Sequence, residues 1–488
     1  MIKIESLKSY TIEKELSFII REYFLSLLGI VWDKDELKIH IVTSDEVINS
    51  NITLLNNKII FLSNKNSNSG FEIEVSETFK ESYLSRTRPI YDEILKVTYN
   101  NFEKGTGVLN DYDCISKMIA TYEWAVQKGI CKWLADMCAE SFNKLLCTLE
   151  NWSTKTYEGK KVPFAFCIDF QSSQGTFNYL DFLEEEYSAT FSDGITSIIE
   201  LDKNLCFVKY NSLTENNIYN QVDLSTTPLR FSQVIMSFTK NKIGVLLLTN
   251  GDLVIIKNKK IELIKRNAKW VNFNKDVFVS TVMSVNKTEP YLITESLLNA
   301  LYYTSLDVSF SHSGGLISVI RDKKMLVNPS EYKAIVKGTY NNKKDYGVIS
   351  YIDDIQTIIP KYEELKNTYP KYFDDSKMKK RFNKRIALLE ILKEYKGNNT
   401  NKLNYNIKFE SIDRKLRAEL VSMDGATIID SNGYVISFGA IIKNDSGSYG
   451  GGRGAAARKL SKYGLAIKIS TDGYIEVYID GEMKYKMK

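Results

Sequence analysis

The sequence predicts an α/β protein of two to three domains, and three observations lead to this prediction. The chain has 488 residues, which is more than one hydrophobic core usually organises. Hydrophobic residues make up 43% of the chain and aromatic residues 12%, enough to build globular cores. Amphipathic helical stretches alternate along the chain with short β-branched runs that end in turn-forming residues such as Asn-Gly.

Residues 1–160 are predicted to form an N-terminal α/β domain with a sensor-like role. Its predicted elements are a helix over residues 12–28, strands over 37–42 and 59–62, an Asn/Ser-rich loop over 63–70, and helices over 89–102 and 112–149. The side chains expected in the core of the last helix are those of Trp124, Trp133, Leu134 and Leu145. The polar stretch 153–161 is interpreted as a boundary.

Residues 161–285 are predicted to be a β-rich segment of the same sensor region. The predicted strands cover residues 162–170, two runs within 194–210 that turn at Asp202-Lys203-Asn204, and a meander over 243–249, 253–257 and 261–266. The Asn250-Gly251 pair suits a hairpin because both residues tolerate positive φ. We expect this meander to belong to a regulatory region rather than to the C-terminal domain.

Residues 290–488 are predicted to form a C-terminal domain in which helices flank a mixed β-sheet. Its predicted elements are helices over 295–306, 414–422 and 455–461, strands over 316–320, 427–429 and 434–442, a turn at 431–433, and a final strand and hairpin. Either Ser411 or Asp413 is expected to cap the second helix. Residues 341–403 are interpreted as an insertion, whose Lys/Arg-rich helix over 376–395 forms either a solvated face or a phosphate funnel.

A Gly-rich run that precedes a helix suggests an anion site near the C-terminus. Gly451 and Gly452 lie directly before Arg453 and an Ala-rich segment of high helix propensity. The first turn of a helix presents unpaired N–H groups and a positive dipole end, and an arginine adds a fork of donors. Asp424, at the end of a helix and the start of a strand, is suited to hold a divalent metal.

The order of these features resembles the diadenylate cyclase (DAC) domain. Its DGA motif corresponds to Asp424-Gly425-Ala426, and its Gly-Thr-Arg-His-Arg-Ala-Ala motif corresponds to residues 451–457. The family strand that ends in Val-Ser-Glu corresponds to Ile469-Ser470-Thr471. Of the Arg-His-Arg triplet this chain keeps only Arg453, since Gly454 and Ala455 occupy the other two positions. The resemblance covers about 65 residues, from Leu416 to Asp480.

The resemblance implies condensation of two ATP molecules to cyclic di-AMP, with Mg²⁺ or Mn²⁺ and between protomers whose DAC domains face each other. It makes Asp424 and Arg453 the catalytic residues and Asp424 and Asp472 the metal ligands. The nucleotide-binding residues that it implies are Gly314, Gly315, Gly425, Ala426, Gly451, Gly452, Gly454 and Ser470. The loss of the histidine and of one arginine leaves an alternative open, a DAC-fold module that binds or senses a nucleotide without cyclising it.

Composition excludes several other classes of function. A net charge of +5 over 488 residues gives no strong nucleic-acid signal. Two histidines and six cysteines without a Cys-x-x-Cys pair argue against a zinc site. The apolar run over 18–32 is broken by Arg21-Glu22, so we expect no membrane span and a cytoplasmic protein with free thiols. A nuclease interpretation has only Asp169 after a strand, without a Glu-x-Lys partner.

Overall fold

The chain divides into two compact units, residues 1–277 with 487–488 and residues 278–486. The computed structural model describes residues 112–157, 159–183, 192–194, 196–212, 241–258, 260–272, 275–284, 293–321, 407–442 and 451–487, with short stretches at 40–43, 52–55, 58–64, 67–74, 89–90, 93–94, 97, 336–337 and 387. We call the two units the N-terminal unit and the C-terminal unit.

Helices and strands alternate in both units, which confirms the predicted α/β class. Within the described residues the helices are α1 (Tyr112–Ala135), α2 (Ala139–Trp152), α3 (Tyr179–Phe182), α4 (Lys275–Ser284), α5 (Glu295–Phe310), α6 (Arg414–Val421) and α7 (Gly451–Ser461), with 3₁₀ turns at Asp136–Cys138 and Phe409–Ser411. The first thirteen strands are β1 (His40–Thr43), β2 (Ile52–Leu55), β3 (Lys58–Asn64), β4 (Ser67–Glu74), β5 (Thr156–Tyr157), β6 (Lys160–Lys161), β7 (Phe164–Asp169), β8 (Ser197–Asp202), β9 (Phe207–Ser212), β10 (Ile243–Leu247), β11 (Leu253–Lys257), β12 (Lys260–Arg266) and β13 (Lys269–Val271). The last seven are β14 (Gly315–Ile320), β15 (Val336–Lys337), β16 (Ala426–Asp430), β17 (Val435–Ile442), β18 (Gly464–Ile469), β19 (Ile475–Ile479) and β20 (Glu482–Met487).

The main sheet of the N-terminal unit has seven strands in the order β13-β12-β11-β10-β7-β8-β9. Only β7 and β8 are parallel, and the predicted meander forms β10 to β13. Alternate residues of β7, such as Phe164 and Phe166, pack with Leu145 and Leu149 of α2 in one hydrophobic core. That core joins residues on both sides of the boundary predicted at 160/161, so the structure does not separate these segments. A second sheet has the order β1-β4-β3-β2.

Two predictions for the N-terminal unit are wrong in detail. Trp124, predicted to lie in the core, is 47% exposed, because the buried stripe of α1 runs through Tyr122, Val126 and Ile130 on another face. Much of the predicted loop over 63–70 is instead strand, since β3 extends to Asn64 and β4 begins at Ser67. The helix predicted over 12–28 lies outside the described residues.

The C-terminal unit is a three-layer arrangement around a mixed sheet in the order β15-β17-β16-β14-β18-β19-β20. Helix α7 covers one face, where Ala457 and Leu460 pack with Ala426 and Ala466 of the sheet. On the opposite face, the backbone of Gly315 leaves no room for a side chain, because Val308 of α5 and Val421 of α6 pack against it. The unit boundary falls between Val277 and Phe278, earlier than the predicted 290.

Helix α6 is held by its own cap and by two arginines. Asp413 is the N-cap, and its carboxylate accepts hydrogen bonds from the N–H groups of Lys415 and Leu416 at 2.9 and 3.1 Å. Arg414 forms a bidentate pair with Asp307 of α5. Buried Arg417 donates to the hydroxyl of Thr304 and to the carbonyls of Phe409, Glu410 and Ile412. These contacts fix α6, and with it the turn that carries Asp424.

Other predictions concern thiols, the insertion and the membrane. The cysteines whose side chains are described, Cys131, Cys138, Cys147, Cys167 and Cys206, are all free thiols. The predicted insertion 341–403, with its basic helix, lies outside the described ranges apart from one isolated position. Searching the part of the chain that the structure describes reveals no helix with the length and apolarity needed to cross a bilayer.

Candidate functional site

Three strand ends meet at one edge of the C-terminal sheet. Strands β14 and β16 are parallel, so their first residues, Gly315 and Ala426, lie at the same edge. Strand β18 runs antiparallel to β14, and its last residue, Ile469, pairs with Gly315. The turns that precede β14 and β16 and the turn that follows β18 are therefore neighbours, although they are distant in sequence.

Hydrogen bonds tie these three turns together. Nδ1 of His312 lies 2.9 Å from the carbonyl oxygen of Thr471, an acceptor to which the ring nitrogen donates. The hydroxyls of Ser313 and Ser422 are 2.7 Å apart, which joins the turn before β14 to the end of α6. This histidine has a φ of +51° in the left-handed region and serves as a turn residue. These hydrogen bonds thus connect the three turns into one surface at this edge of the sheet.

Arg453 extends from the first turn of α7 across this edge. A Cβ atom on Gly314 would lie 2.6 Å from Nη1 of Arg453, so the guanidinium packs directly over the glycine. The same point is 3.1 Å from the methyl carbon of Thr471. Gly314 also has a φ of +68°, which is a second reason why glycine is favoured at this position. The guanidinium therefore packs against the turn before β14 and the turn after β18.

The carboxylate of Asp424 lies beside this guanidinium. Oδ1 of Asp424 is 3.8 Å from Nη2 of Arg453, and the side chains are 79% and 31% exposed respectively. An ion pair this exposed contributes little to stability, because water screens both charges. What the pair does provide is a guanidinium and a carboxylate that reach solvent at the same place, next to the start of α7.

Helix α7 begins at Gly451, four residues earlier than predicted from the alanines at 455–457. Gly451 and Gly452 are exposed, and among the described residues a Cβ atom on either would have no neighbour within 4 Å. Gly451 takes a φ of +77°, a turn conformation suited to glycine. The N–H groups of the first helical turn lie within the same segment as Arg453 and favour a negatively charged ligand.

The other predicted site residues fall into two groups. Ser470 and Asp472 are at the edge, in the turn after β18, where the Ser470 hydroxyl is 3.5 Å from Oδ2 of Asp472. Three residues predicted to contact nucleotide have packing roles in the fold. Ala426 is fully buried in the core under α7, Gly315 packs against Val421, and a Cβ on Gly425 would be 2.3 Å from the carbonyl carbon of Gly439.

Two exposed carboxylates at the edge are the residues that could hold a metal. Asp424 is a carboxylate well exposed to solvent, and Asp472 is exposed in the neighbouring turn. Across the described residues, no group of three or more His, Cys, Asp and Glu side chains is arranged to bind a metal ion. A magnesium ion held by one or two carboxylates, with phosphate oxygens and water as its other ligands, is compatible with such a site.

A charged cluster that sequence reasoning did not identify lies under α7. Glu476 of β19 accepts hydrogen bonds from Lys468 of β18 and Lys486 of β20, each at 2.9 Å, and from the Tyr478 hydroxyl at 2.7 Å. Burial alone would raise the pKa of Glu476, but these three donors outweigh it and lower the pKa to about 2. Lys468 lies near the end of β18, two residues before Ser470 in the following turn, and this proximity to the motif was the available sequence signal.

Comparison with known proteins identifies no relative for this chain. No protein-family model matches it, and no curated protein and no solved structure matches it significantly.

Proposed function

We propose that the C-terminal unit binds a nucleoside triphosphate, ATP by its resemblance to DAC domains, in complex with Mg²⁺ or Mn²⁺. The observation that supports this most directly is the 3.8 Å approach of Arg453 to Asp424 beside the start of α7. A metal-bound polyphosphate needs both signs of charge at one place, a carboxylate for the metal and cationic donors for the phosphates. Residues distant in sequence provide both.

Each group has a distinct role in this proposal. Asp424, with Asp472 in the adjoining turn, would hold the metal, which neutralises phosphate charge when bound. Arg453 would donate a pair of hydrogen bonds to phosphate oxygens, because its planar fork matches their spacing. The N–H groups near Gly451, Gly452 and Gly454 would bind further oxygens, and the Ser470 hydroxyl would line the same side.

A second candidate function is the condensation of two ATP molecules to cyclic di-AMP. The retained Asp424–Arg453 pair favours it. Two protomers would face each other, and each ribose 3′-hydroxyl would attack the α-phosphate of the other ATP. Two phosphodiester bonds form and two pyrophosphates leave. Gly454 and Ala455 provide no side-chain donors where the family has His and Arg, and one lost donor of this kind costs about 100-fold in rate. Binding is therefore the primary proposal.

One experiment separates the two candidates. Binding of ATP with Mg²⁺ is measured by calorimetry, and products are then separated by chromatography after incubation with Mg²⁺ or Mn²⁺. Arg453→Met should weaken ATP binding at least ~10-fold, as expected for a lost charge-assisted contact. Asp424→Asn should remove the metal dependence of the affinity and abolish any cyclic di-AMP formation.

Arg321→Met is the matched control for these variants. Arg321 follows the other end of β14 and forms a comparable ion pair, with Nη2 3.5 Å from Asp480. Its substitution should leave ATP affinity unchanged. Wild-type protein that binds no ATP would refute the binding proposal, and binding without product would reject condensation alone. Cyclic di-AMP made equally well by Asp424→Asn would exclude the metal role of Asp424.

A further inference from the structure

Two cationic groups converge on Gly454, in the first turn of α7. The side-chain atoms within 4 Å of a Cβ atom on this buried glycine would be Nη2 of Arg458 and Nζ of Lys468, each at 3.8 Å. Arg458 comes from the next turn of the same helix, whereas Lys468 reaches the spot from β18. Two positively charged groups therefore lie close to the side-chain position of a residue in the first turn of α7.

Lys468 shares its carboxylate partner with a second lysine. Glu476 is the carboxylate that both Lys468 and Lys486 contact, so two ammonium groups share one negative charge. An ammonium carries three donors, which lets Lys468 bind Glu476 and a second acceptor together. Its side chain is 16% exposed, so it is held mostly by surrounding protein yet still reaches solvent. A group so oriented loses little further freedom when an anion binds.

We propose that Lys468 and Arg458 form a second phosphate-binding subsite, which contacts the terminal phosphates of the bound triphosphate. This inference rests on the proposed function and deepens it. In the DAC motif the position of Gly454 is a histidine and that of Ala455 an arginine, so this chain has lost two donors there. The subsite replaces that charge from the strand below and from the following helical turn. Arg453 and the subsite would then hold different parts of one polyphosphate.

Lys468 and Lys486 provide a matched pair of variants for the test. Each donates to Glu476 at 2.9 Å, but only Lys468 approaches Gly454. Lys468→Met and Lys486→Met therefore each remove one lysine contact to the Glu476 carboxylate, and only the first removes the subsite. Calorimetry with ATP, AMP and inorganic triphosphate should show about 10-fold weaker ATP and triphosphate binding for Lys468→Met. AMP binding should change little, and Lys486→Met should bind all three as the wild type does.

Arg458→Met tests the subsite from the helix and keeps the proposal falsifiable if Lys468→Met folds poorly. It should also weaken triphosphate binding more than AMP binding. Equal losses for Lys468→Met and Lys486→Met would overturn the subsite, because both would then act through the sheet. Normal ATP binding by Lys468→Met and Arg458→Met would overturn the subsite and leave the proposed function standing. Wild-type protein that binds triphosphate but not ATP, with loss in Lys468→Met, would refute the nucleotide proposal and support the subsite. Binding of neither ligand by the wild type would refute both.

Discussion

Gly425 joins α6 to β16 in a backbone conformation that a side chain would disrupt. Its φ is +104°, and a Cβ atom would lie 2.3 Å from the carbonyl carbon of Gly439 on β17. We predict that Gly425→Ala lowers the free energy of unfolding of the C-terminal unit by at least about 2 kcal/mol, because backbone must shift and φ is unfavourable. Urea denaturation followed by circular dichroism measures this change.

Gly452→Ala is the control for this prediction. Gly452 lies in the first turn of α7 with nothing within 4 Å of its Cβ position, and its φ is not in the left-handed region. Alanine should there be neutral or stabilise by up to about 1 kcal/mol, since glycine costs more entropy in a helix. Equal destabilisation by both variants would contradict the explanation for Gly425. Equal stability of Gly425→Ala and wild type would contradict it too.

Single residues also show what sequence reasoning can and cannot predict. The motif resemblance assigns Asp424 and Arg453 to one site, and the structure places their side chains 3.8 Å apart. Lys468 is not identified in this way, because a lysine near the end of a strand is usually a solvated residue. Its importance depends on cross-strand contact with Glu476 and on its approach to Gly454, which only the folded chain brings together. The packing roles of Ala426 and Gly315 are hidden from the sequence for the same reason.

Sequence signals within a few residues predict most helices, strands and turns. The wrong predictions of where an element begins also have causes within a few residues. Hairpins at Asn250-Gly251 and at Asn432-Gly433 are predictable because their turn chemistry lies within a few residues. Of the two candidate caps for α6, Asp413 is the one whose carboxylate accepts from the helix. The start of α7 is predicted too late, because intrinsic propensity disfavours glycine. The packing of Arg453 over Gly314 is a tertiary contact, and the helix propensity of residues 451–454 does not reflect it.

Three adjacent strands are linked through Glu476, and this link makes a prediction about acid stability. Its pKa is lowered from 4.5 to about 2 in the folded protein. A lowered pKa stabilises the fold above the unfolded value, and this stabilisation is lost as pH falls from about 4.5 towards 2. Glu476→Gln should therefore destabilise the C-terminal unit at pH 7 by about 3 kcal/mol, the equivalent of that shift.

The difference between Glu476→Gln and wild type should shrink to near zero at about pH 2, measured by urea denaturation at several pH values. Glu482→Gln is the control, since Glu482 is an exposed carboxylate on β20 that pairs with Lys484. Its substitution should change stability by less than about 1 kcal/mol at any pH. A constant difference for Glu476→Gln across this range would exclude the ionised carboxylate as the source of the stabilisation.

At the scale of the whole molecule, strand order lies beyond local sequence signals. Strand β14 pairs with β16 and β18, and β7 pairs with β10, so sheet neighbours are separated by long stretches of chain. The boundary predicted at 160/161 follows a polar stretch, yet the core joins helices before it to strands after it. The number of strands could be predicted approximately, whereas their order and the unit boundary at 277/278 could not.

The sensor-like role expected from the sequence for the N-terminal region leads to a prediction about coupling between the two units. ATP at 100 times its Kd should stabilise the C-terminal unit by about 2.7 kcal/mol, which slows globally exchanging amides about 100-fold. Hydrogen exchange should reveal this protection in β14, β16 and α7. Coupling between sites is reciprocal, so an N-terminal unit that regulates the site should in turn respond to ATP, and we expect altered exchange in β10 to β13. Arg453→Met at the same ATP concentration should lose most of both effects. Protection confined to the C-terminal unit at saturation would contradict the regulatory role while leaving nucleotide binding intact.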